Sequence, residues 1–249
     1  MKKLLLNLVL ITVFVTSTAS AGISRTSISW YTRPTSDGSR PPCPAEAPFL
    51  EENNACYLGK DEKKVYLTFD LGYENENVFT ILDALKKHNA PAAFFILSHE
   101  IDSGKALERI VDEGHLVCNH TAHHPDMSKM PDKESFKLEL SALEEKYTEK
   151  TGNKMAKYYR PPQGVFSEQN LVWAKELGYK TVFWSLTWAD WDNSKQLPVE
   201  KAIDKLFSRL HNGAIILLHP ISDTNAKMMD AFLTRLENEG YTFASLDEL

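Results

Sequence analysis

From residue 64 onward, short apolar runs alternate with segments of helical periodicity. Val65–Phe69, Ala92–Leu97, Leu116–Cys118, Thr181–Trp184 and Ala214–Leu218 are rich in β-branched and aromatic residues, and their length predicts strands. Between and after them, apolar residues recur at three- and four-residue spacing over Asn75–His88, Gly104–Glu113, Lys133–Thr151, Ser167–Leu177, Val199–Leu210 and Asn225–Glu239, which predicts helices. Gly114, Gly152, Gly178 and Gly240 stand just past four of these, where a residue at positive φ closes a helix. Strands alternating with helices build a parallel sheet or barrel, and near-continuous apolar runs suit strands covered on both faces.

The chain before residue 64 reads differently. Lys2 and Lys3 precede an apolar run from Leu4 to Val15, and Ala19-Ser20-Ala21 supplies small residues for cleavage, the pattern of a secretory leader over 1–21. From Gly22 to about residue 63, Pro34, Pro41, Pro42, Pro44 and Pro48 deny long helices or central strands. This stretch is expected to be an irregular arm wrapped on one domain spanning 64–249, with Trp30, Tyr31 and Phe49 as its anchors. No internal repeat or low-complexity segment interrupts that plan.

Charge narrows the partners. Of 28 Lys and Arg, removing Lys2 and Lys3 leaves 26 against 34 Asp and Glu, a net charge of −8 for the mature chain with histidines neutral. Nucleic acid is a poor partner for such a surface. An anionic polymer would have to be met by a local basic patch. Cys43 and Cys56, in an exported arm, either close a disulfide loop or stay as thiols, and Cys118, inside an apolar run, reads as a small buried hydrophobe. Nothing in the chain calls for a protein partner, so a monomer acting beyond the cytoplasmic membrane is expected.

In sheets of this kind chemistry gathers where the strands end at their C-termini. Asp70 follows Val65–Phe69, His120 follows Leu116–Cys118, Asp190 lies shortly after Thr181–Trp184, and His219 follows Ala214–Leu218. Taken singly, Asp70 could be a turn aspartate, Asp190 a loop carboxylate and His219 a satisfied core histidine. His120 and His124 stand four residues apart, and either cap a loop or, at a spacing that suits it, bind one metal ion together. The default for the intervening His123 is the surface. Arg160-Pro161-Pro162 follows a Tyr-Tyr pair; its guanidinium either holds a carboxylate in one orientation or lies on the surface. Trp191, beside Asp190, either walls a sugar site or fills the core.

Together these residues resemble the ordered motifs of the polysaccharide deacetylases, carbohydrate esterase family 4, also called the NodB homology domain. Thr68-Phe69-Asp70-Leu71-Gly72 is similar to Thr-Phe-Asp-Asp-Gly, His120 to His124 to His-Ser/Thr-x-x-His, and Arg160-Pro161-Pro162 to Arg-x-Pro. Asp190-Trp191 and Leu217-Leu218-His219 match the fourth and fifth motifs. Within the family, Trp30-Tyr31, Tyr57-Leu58-Gly59, Gly72-Tyr73-Glu74-Asn75 and the run from Arg160 to Ser167 resemble the N-acetylmuramic acid deacetylases that prepare muramic δ-lactam in spore formers.

The resemblance implies a distorted (β/α) barrel of about seven strands and hydrolytic removal of acetyl groups from peptidoglycan glycan strands. It implies Asp70 as general base, Arg160 holding Asp70, His219 as the acid for the leaving nitrogen and Asp190 orienting His219. His120 and His124 would hold a divalent metal, zinc by preference. Gly72, Tyr73, Glu74, Pro161, Trp191 and Leu217 would contact substrate. One position departs: the family's third metal ligand, the second aspartate of Thr-Phe-Asp-Asp-Gly, is Leu71 here, so metal binding is expected to be weak. Muramic acid's lactyl carboxylate could then take the space, or the coordination position, that the aspartate leaves. The rival readings are a deacetylase of N-acetylglucosamine in peptidoglycan or chitin-like oligomers, and a glycan-binding protein without catalysis.

Overall fold

The computed structural model describes residues 22–35 and 37–249, so the leader expected over 1–21 lies outside the described residues. In chain order the strands and helices are β1 (Ile28–Ser29), β2 (Ala55–Cys56), β3 (Lys64–Leu71), α1 (Glu76–Lys87), β4 (Ala92–Ile96), α2 (Ser98–Ser103), α3 (Ala106–Asp112), β5 (Leu116–Asn119), α4 (Lys133–Thr151), β6 (Ala156–Tyr159), β7 (Val165–Phe166), α5 (Glu168–Glu176), β8 (Lys180–Val182), α6 (Val199–Phe207), β9 (Ala214–Leu218), α7 (Asp223–Asn238) and β10 (Thr242–Phe243).

Strands β3, β4, β5, β6 and β8 lie side by side in parallel, β9 flanks β3, and the short β10 and β2 add to β3 and β8. The sheet curls on itself. Beyond β8 the chain reaches β9, where Leu186 bridges to Ile216 and the Leu217 amide donates to the Leu186 carbonyl. This is the parallel barrel that the strand-helix alternation allows and the distorted form that the resemblance implies.

Strand alternation divides β3 between two cores. Val65, Leu67, Phe69 and Leu71 join the large outer cluster under α1, α6 and α7, whereas Tyr66 packs inside the barrel with Phe95, Cys118, Val182 and Ile215. Asp70 shares the parity of Tyr66 and Thr68, and so faces the barrel mouth. Helix ends follow local chemistry: the Asn75 side chain caps α1, Asp132 caps α4, and Ser167 opens α5 with a reciprocal capping box to Asn170. The glycine at 152 closes α4 at φ 73°.

Several expectations needed correction. β6 went unpredicted because Ala-Lys-Tyr-Tyr is short and carries a lysine, yet it joins β5 to β8. The strand expected over Thr181–Trp184 stops at Val182, since Phe183 turns away to pack against Trp30 of the arm. The arm is not wholly irregular: β1 pairs antiparallel with β7, and β2 extends the main sheet. Trp30 is buried, but Tyr31, the next residue along an extended chain, points outward and is 39% exposed, so it is no anchor. Cys43 and Cys56 are both thiols, the Cys43 Sγ donating to the Ala47 carbonyl, and Cys118 is buried.

Candidate active site

A cavity of about 470 Å³ opens at the C-terminal mouth of the barrel, lined by Asp70, His120, His124, Gln163, Gly164, Trp184, Thr187, Trp191, Leu217 and His219. Five sequence-separated segments therefore meet at one place.

Its centre is an arginine–aspartate pair. Arg160, fully buried just beyond β6, donates from Nη1 to Asp70 Oδ1 at 2.7 Å, from Nη2 to Thr68 Oγ1 at 2.9 Å and from Nε to the Val182 carbonyl at 2.9 Å. Its guanidinium lies 4.1 Å from the centre of the Phe95 ring. A side chain held from so many directions has one rotamer, and it fixes the carboxylate it touches. Burial alone would raise the Asp70 carboxyl, but the Arg160 charge, aided by His120 and His219, holds it below the usual carboxylate range. Asp70 is an anion ready to accept a proton.

The histidine pair lies on the other side of that carboxylate. His120 Nδ1 donates to the Arg160 carbonyl at 2.9 Å, because a carbonyl only accepts; Nε2 is then the lone-pair nitrogen, 3.6 Å from Asp70 Oδ2. Burial, partly offset by Asp70, lowers the His120 pKa to about 4, and burial also lowers that of His124. Both rings are neutral at pH 7. Their centroids are 5.0 Å apart because the loop between them bends through left-handed residues, Thr121 at φ 74° and His124 at φ 59°. Such a backbone costs energy in non-glycine residues, and hydrogen bonds hold it: Asn119 Oδ1 accepts from the Thr121 amide, and Thr121 Oγ1 from the His124 amide.

Two neutral imidazoles beside a carboxylate have the right chemistry for a divalent cation. Among the described residues, however, no group of three His, Cys, Asp or Glu side chains is arranged to hold a metal. Leu71 stands where the resemblance implies a third ligand, and its side chain has no atom to coordinate a cation. Its side chain is buried in the outer core among residues of α1 and β4, on the face of β3 away from the cavity. The leucine leaves no extra room in the pocket, so of the two expected places for a lactyl carboxylate the geometry bears only on the vacated space, and not on the coordination position.

Across the cavity, Asp190 Oδ1 accepts from His219 Nδ1 at 2.7 Å, and Oδ2 accepts from the His219 amide at 2.7 Å and from Asn225 Nδ2 at 2.6 Å. Burial works against an imidazolium here, but the hydrogen bond and charge of Asp190 outweigh it, and the His219 pKa is raised. Asn225 is in turn fixed by Trp188, whose Nε1 donates to Asn225 Oδ1 at 3.1 Å. Asn225 was invisible in the sequence as a site residue, because it reads there as an ordinary position near the start of a helix.

Of the six positions that the resemblance implied would touch substrate, Trp191 and Leu217 line the cavity, Trp191 with 62% of its surface exposed. Gly72, Tyr73, Glu74 and Pro161 do not line it; Tyr73 is exposed, and Glu74 Oε2 accepts from the Ala106 amide at 2.6 Å. Gln163, which lines the cavity, has φ 58°, and Gly164 follows at φ 67°. A Cβ at 164 would stand 2.8 Å from the Trp184 ring, so only glycine fits. His123, as expected, is exposed and pairs with Glu139.

Comparison with known proteins agrees with this geometry. Residues 58–182 match the family model of the polysaccharide deacetylases. The peptidoglycan-N-acetylmuramic acid deacetylase PdaA of Bacillus subtilis is 43% identical over 202 residues, 80% of this chain and 76% of that protein. The solved structure of B. subtilis PdaA, a family 4 carbohydrate esterase, superposes with a TM-score of 0.86 over 91% of this chain and 98% of that one, at 39% identity. The peptidoglycan-N-acetylglucosamine deacetylase PgdA of Listeria monocytogenes is 33% identical over 195 residues, 76% of this chain but 39% of that protein.

Proposed function

This chain belongs to the polysaccharide deacetylase family, and we propose that it hydrolyses the N-acetyl group of N-acetylmuramic acid in peptidoglycan glycan strands. The observation that carries the reading is one cavity holding both an anionic carboxylate, Asp70 fixed by Arg160, and a histidine of raised pKa, His219 fixed by Asp190. Two groups whose pKa values are driven apart are what base and acid roles need. A binder has no use for such a pair.

An acetamide resists water because its carbonyl is resonance-stabilised and its nitrogen leaves poorly. Asp70 takes a proton from the water that attacks the carbonyl carbon. As the C–N bond breaks, protonated His219 delivers its Nε2 proton to the departing nitrogen, and acetate and a free amine result. Asp190 keeps His219 in the tautomer that presents Nε2 and stabilises its positive charge. Trp191 and Leu217 offer apolar surface to the sugar ring.

Deacetylases of this family are metal-dependent. His120 and His124 are the residues to hold the metal, which we propose is zinc, and when bound it supplies Lewis acidity to the carbonyl. With Leu71 out of reach, the protein offers two imidazoles and the nearby Asp70, so binding is weak and easily reversed. The freed amine sits beside the lactyl group of the same sugar, which places the product on the route to the muramic δ-lactam of spore cortex. Residues 1–21 act as a leader, and the enzyme works outside the cytoplasmic membrane as a monomer.

The direct test measures acetate released from muramic-acid-containing strands, with and without peptide stems, at controlled zinc concentration, with Asp70→Asn as blank. Release from these strands that Asp70→Asn abolishes supports the reading. Release confined to N-acetylglucosamine units would make the protein a glucosamine deacetylase. Binding without release would make it a glycan-binding protein.

A further inference from the structure

A second cavity, of about 430 Å³, lies on the arm and is lined in part by Thr26, Ile28, Ser29, Tyr31, Glu46 and Phe49. We propose that this groove binds a further, neutral pyranose unit of the same glycan strand whose acetylated sugar occupies the catalytic cavity. The proposal rests on the substrate being a glycan polymer.

The arm that carries this groove is bonded to residues that line the catalytic cavity. β1 pairs with β7 in the register Ile28↔Phe166 and Ser29↔Val165, and the Trp30 amide donates to the Gly164 carbonyl at 2.8 Å. Gly164 lines the catalytic cavity, as does Trp184, whose carbonyl accepts from Trp30 Nε1 at 2.9 Å. The arm therefore shares a wall with the active site, and paired strands stand only about 4.8 Å apart. A polymer leaving the catalytic cavity over Gln163 and Gly164 meets the arm next.

The lining suits a sugar. A pyranose presents an apolar C–H face and a rim of hydroxyls, which call for an aromatic or aliphatic wall and for side chains that accept and donate hydrogen bonds. Tyr31, Phe49 and Ile28 supply the first, and Thr26, Ser29 and Glu46 the second. The Tyr31 hydroxyl lies 3.3 Å from Glu46 Oε2 and 3.5 Å from Arg33 Nη2, which restrains the ring before any ligand arrives. Glu46 and Arg33 carry opposite charges beside the same hydroxyl, so the rim of the groove has no excess charge to attract an acidic unit and suits the neutral N-acetylated sugar that neighbours one. Tyr31, exposed as it is, has no role in the core that would explain it.

The experiment measures binding of stem-free glycan hexasaccharides to the full chain in an Asp70→Asn background, with and without Tyr31→Ala or Glu46→Gln, and in parallel the KM and kcat of each single variant. A lost ring contact is expected to weaken hexasaccharide binding and raise its KM about fivefold, with kcat, the values for a disaccharide and the melting temperature unchanged. Unchanged hexasaccharide binding in both variants overturns the proposal, as does an equal loss for the disaccharide. If the wild type binds strands but releases no acetate, while Tyr31→Ala still weakens binding, the deacetylase reading fails and the groove stands.

Discussion

Asp70 stands next to last in β3, and Glu100 lies in α2 just past the end of the adjacent β4; both carboxylates are withdrawn from water, their side chains 11% and 2% exposed. Asp70 meets a buried guanidinium at 2.7 Å and stays ionised. Among the described residues neither oxygen of Glu100 has a hydrogen-bond partner, although His99 Nε2 lies 3.4 Å from Oε1. Burial, reinforced by the Glu74 charge, raises its pKa to about 7. Burial beside a like charge thus holds a proton on a carboxyl, and an ionised buried carboxylate requires a donor fixed before it. Asp70 keeps its charge because Arg160 is there, and the α2 corner shows what a buried carboxyl becomes without such a donor.

Removing Arg160 should erase the difference, and it carries the largest expected effect. Arg160→Leu leaves Asp70 without its cation and the Val182 carbonyl and Thr68 without a donor, at a cost of about 3–5 kcal/mol. Urea unfolding at pH 7 measures the loss, and acetate release should fall to the Asp70→Asn blank. Adding Asp70→Asn to Arg160→Leu removes the stranded charge and should recover part of the stability. Failure to recover any would mean that Arg160 matters through packing rather than through Asp70.

Asp190→Asn probes the other charged pair with a smaller change. Asp190 Oδ2 accepts from two donors, the His219 amide and Asn225 Nδ2, and an asparagine amide would turn its own donor toward them. His219 loses both its orientation and the charge that raises its pKa. The expected result is a fall in kcat of about 10²–10⁴-fold, with binding of strands nearly unchanged. A similar fall with His219→Gln, and no further fall in the double variant, would show that the two act as one unit.

Much of the candidate site was legible in the sequence because several of its members stand at or just past the end of a strand, where periodicity stops and a polar residue stands alone. Asp70, His120 and His219 carry that signature, and Arg160 lacked only its strand, since β6 is too short and too polar to declare itself. The partners were harder to see. Asn225 sits early in α7 and looks like any helix position, and Gln163 reaches the cavity through a left-handed backbone that no side-chain pattern encodes. The arm was misread at Tyr31 because aromatic character alone does not say which face of an extended segment a residue takes. Leu71 was legible as a missing ligand, but its burial behind β3 required the pleat to be known in three dimensions.

Glu100→Gln tests the uncharged half of the comparison and should have the smallest effect, with a distinctive pH dependence. The folded pKa of about 7 exceeds the ordinary 4.5, so between those values the fold holds a proton that the unfolded chain releases. The stabilisation tied to that proton is complete below pH 4.5 and is lost as pH rises through 7, where the fold must carry an uncompensated anion. Glutamine is neutral throughout and of the same shape. Relative to wild type, the variant should therefore gain roughly 2–3 kcal/mol of stability between pH 4 and pH 8, read as a widening gap between urea midpoints. Other titrating groups cancel in that difference, because both proteins share them. A gap that stays constant from pH 4 to pH 8 would mean that Glu100 ionises as freely as an exposed carboxyl, through His99 or water, and that burial without a fixed donor is not what separates it from Asp70.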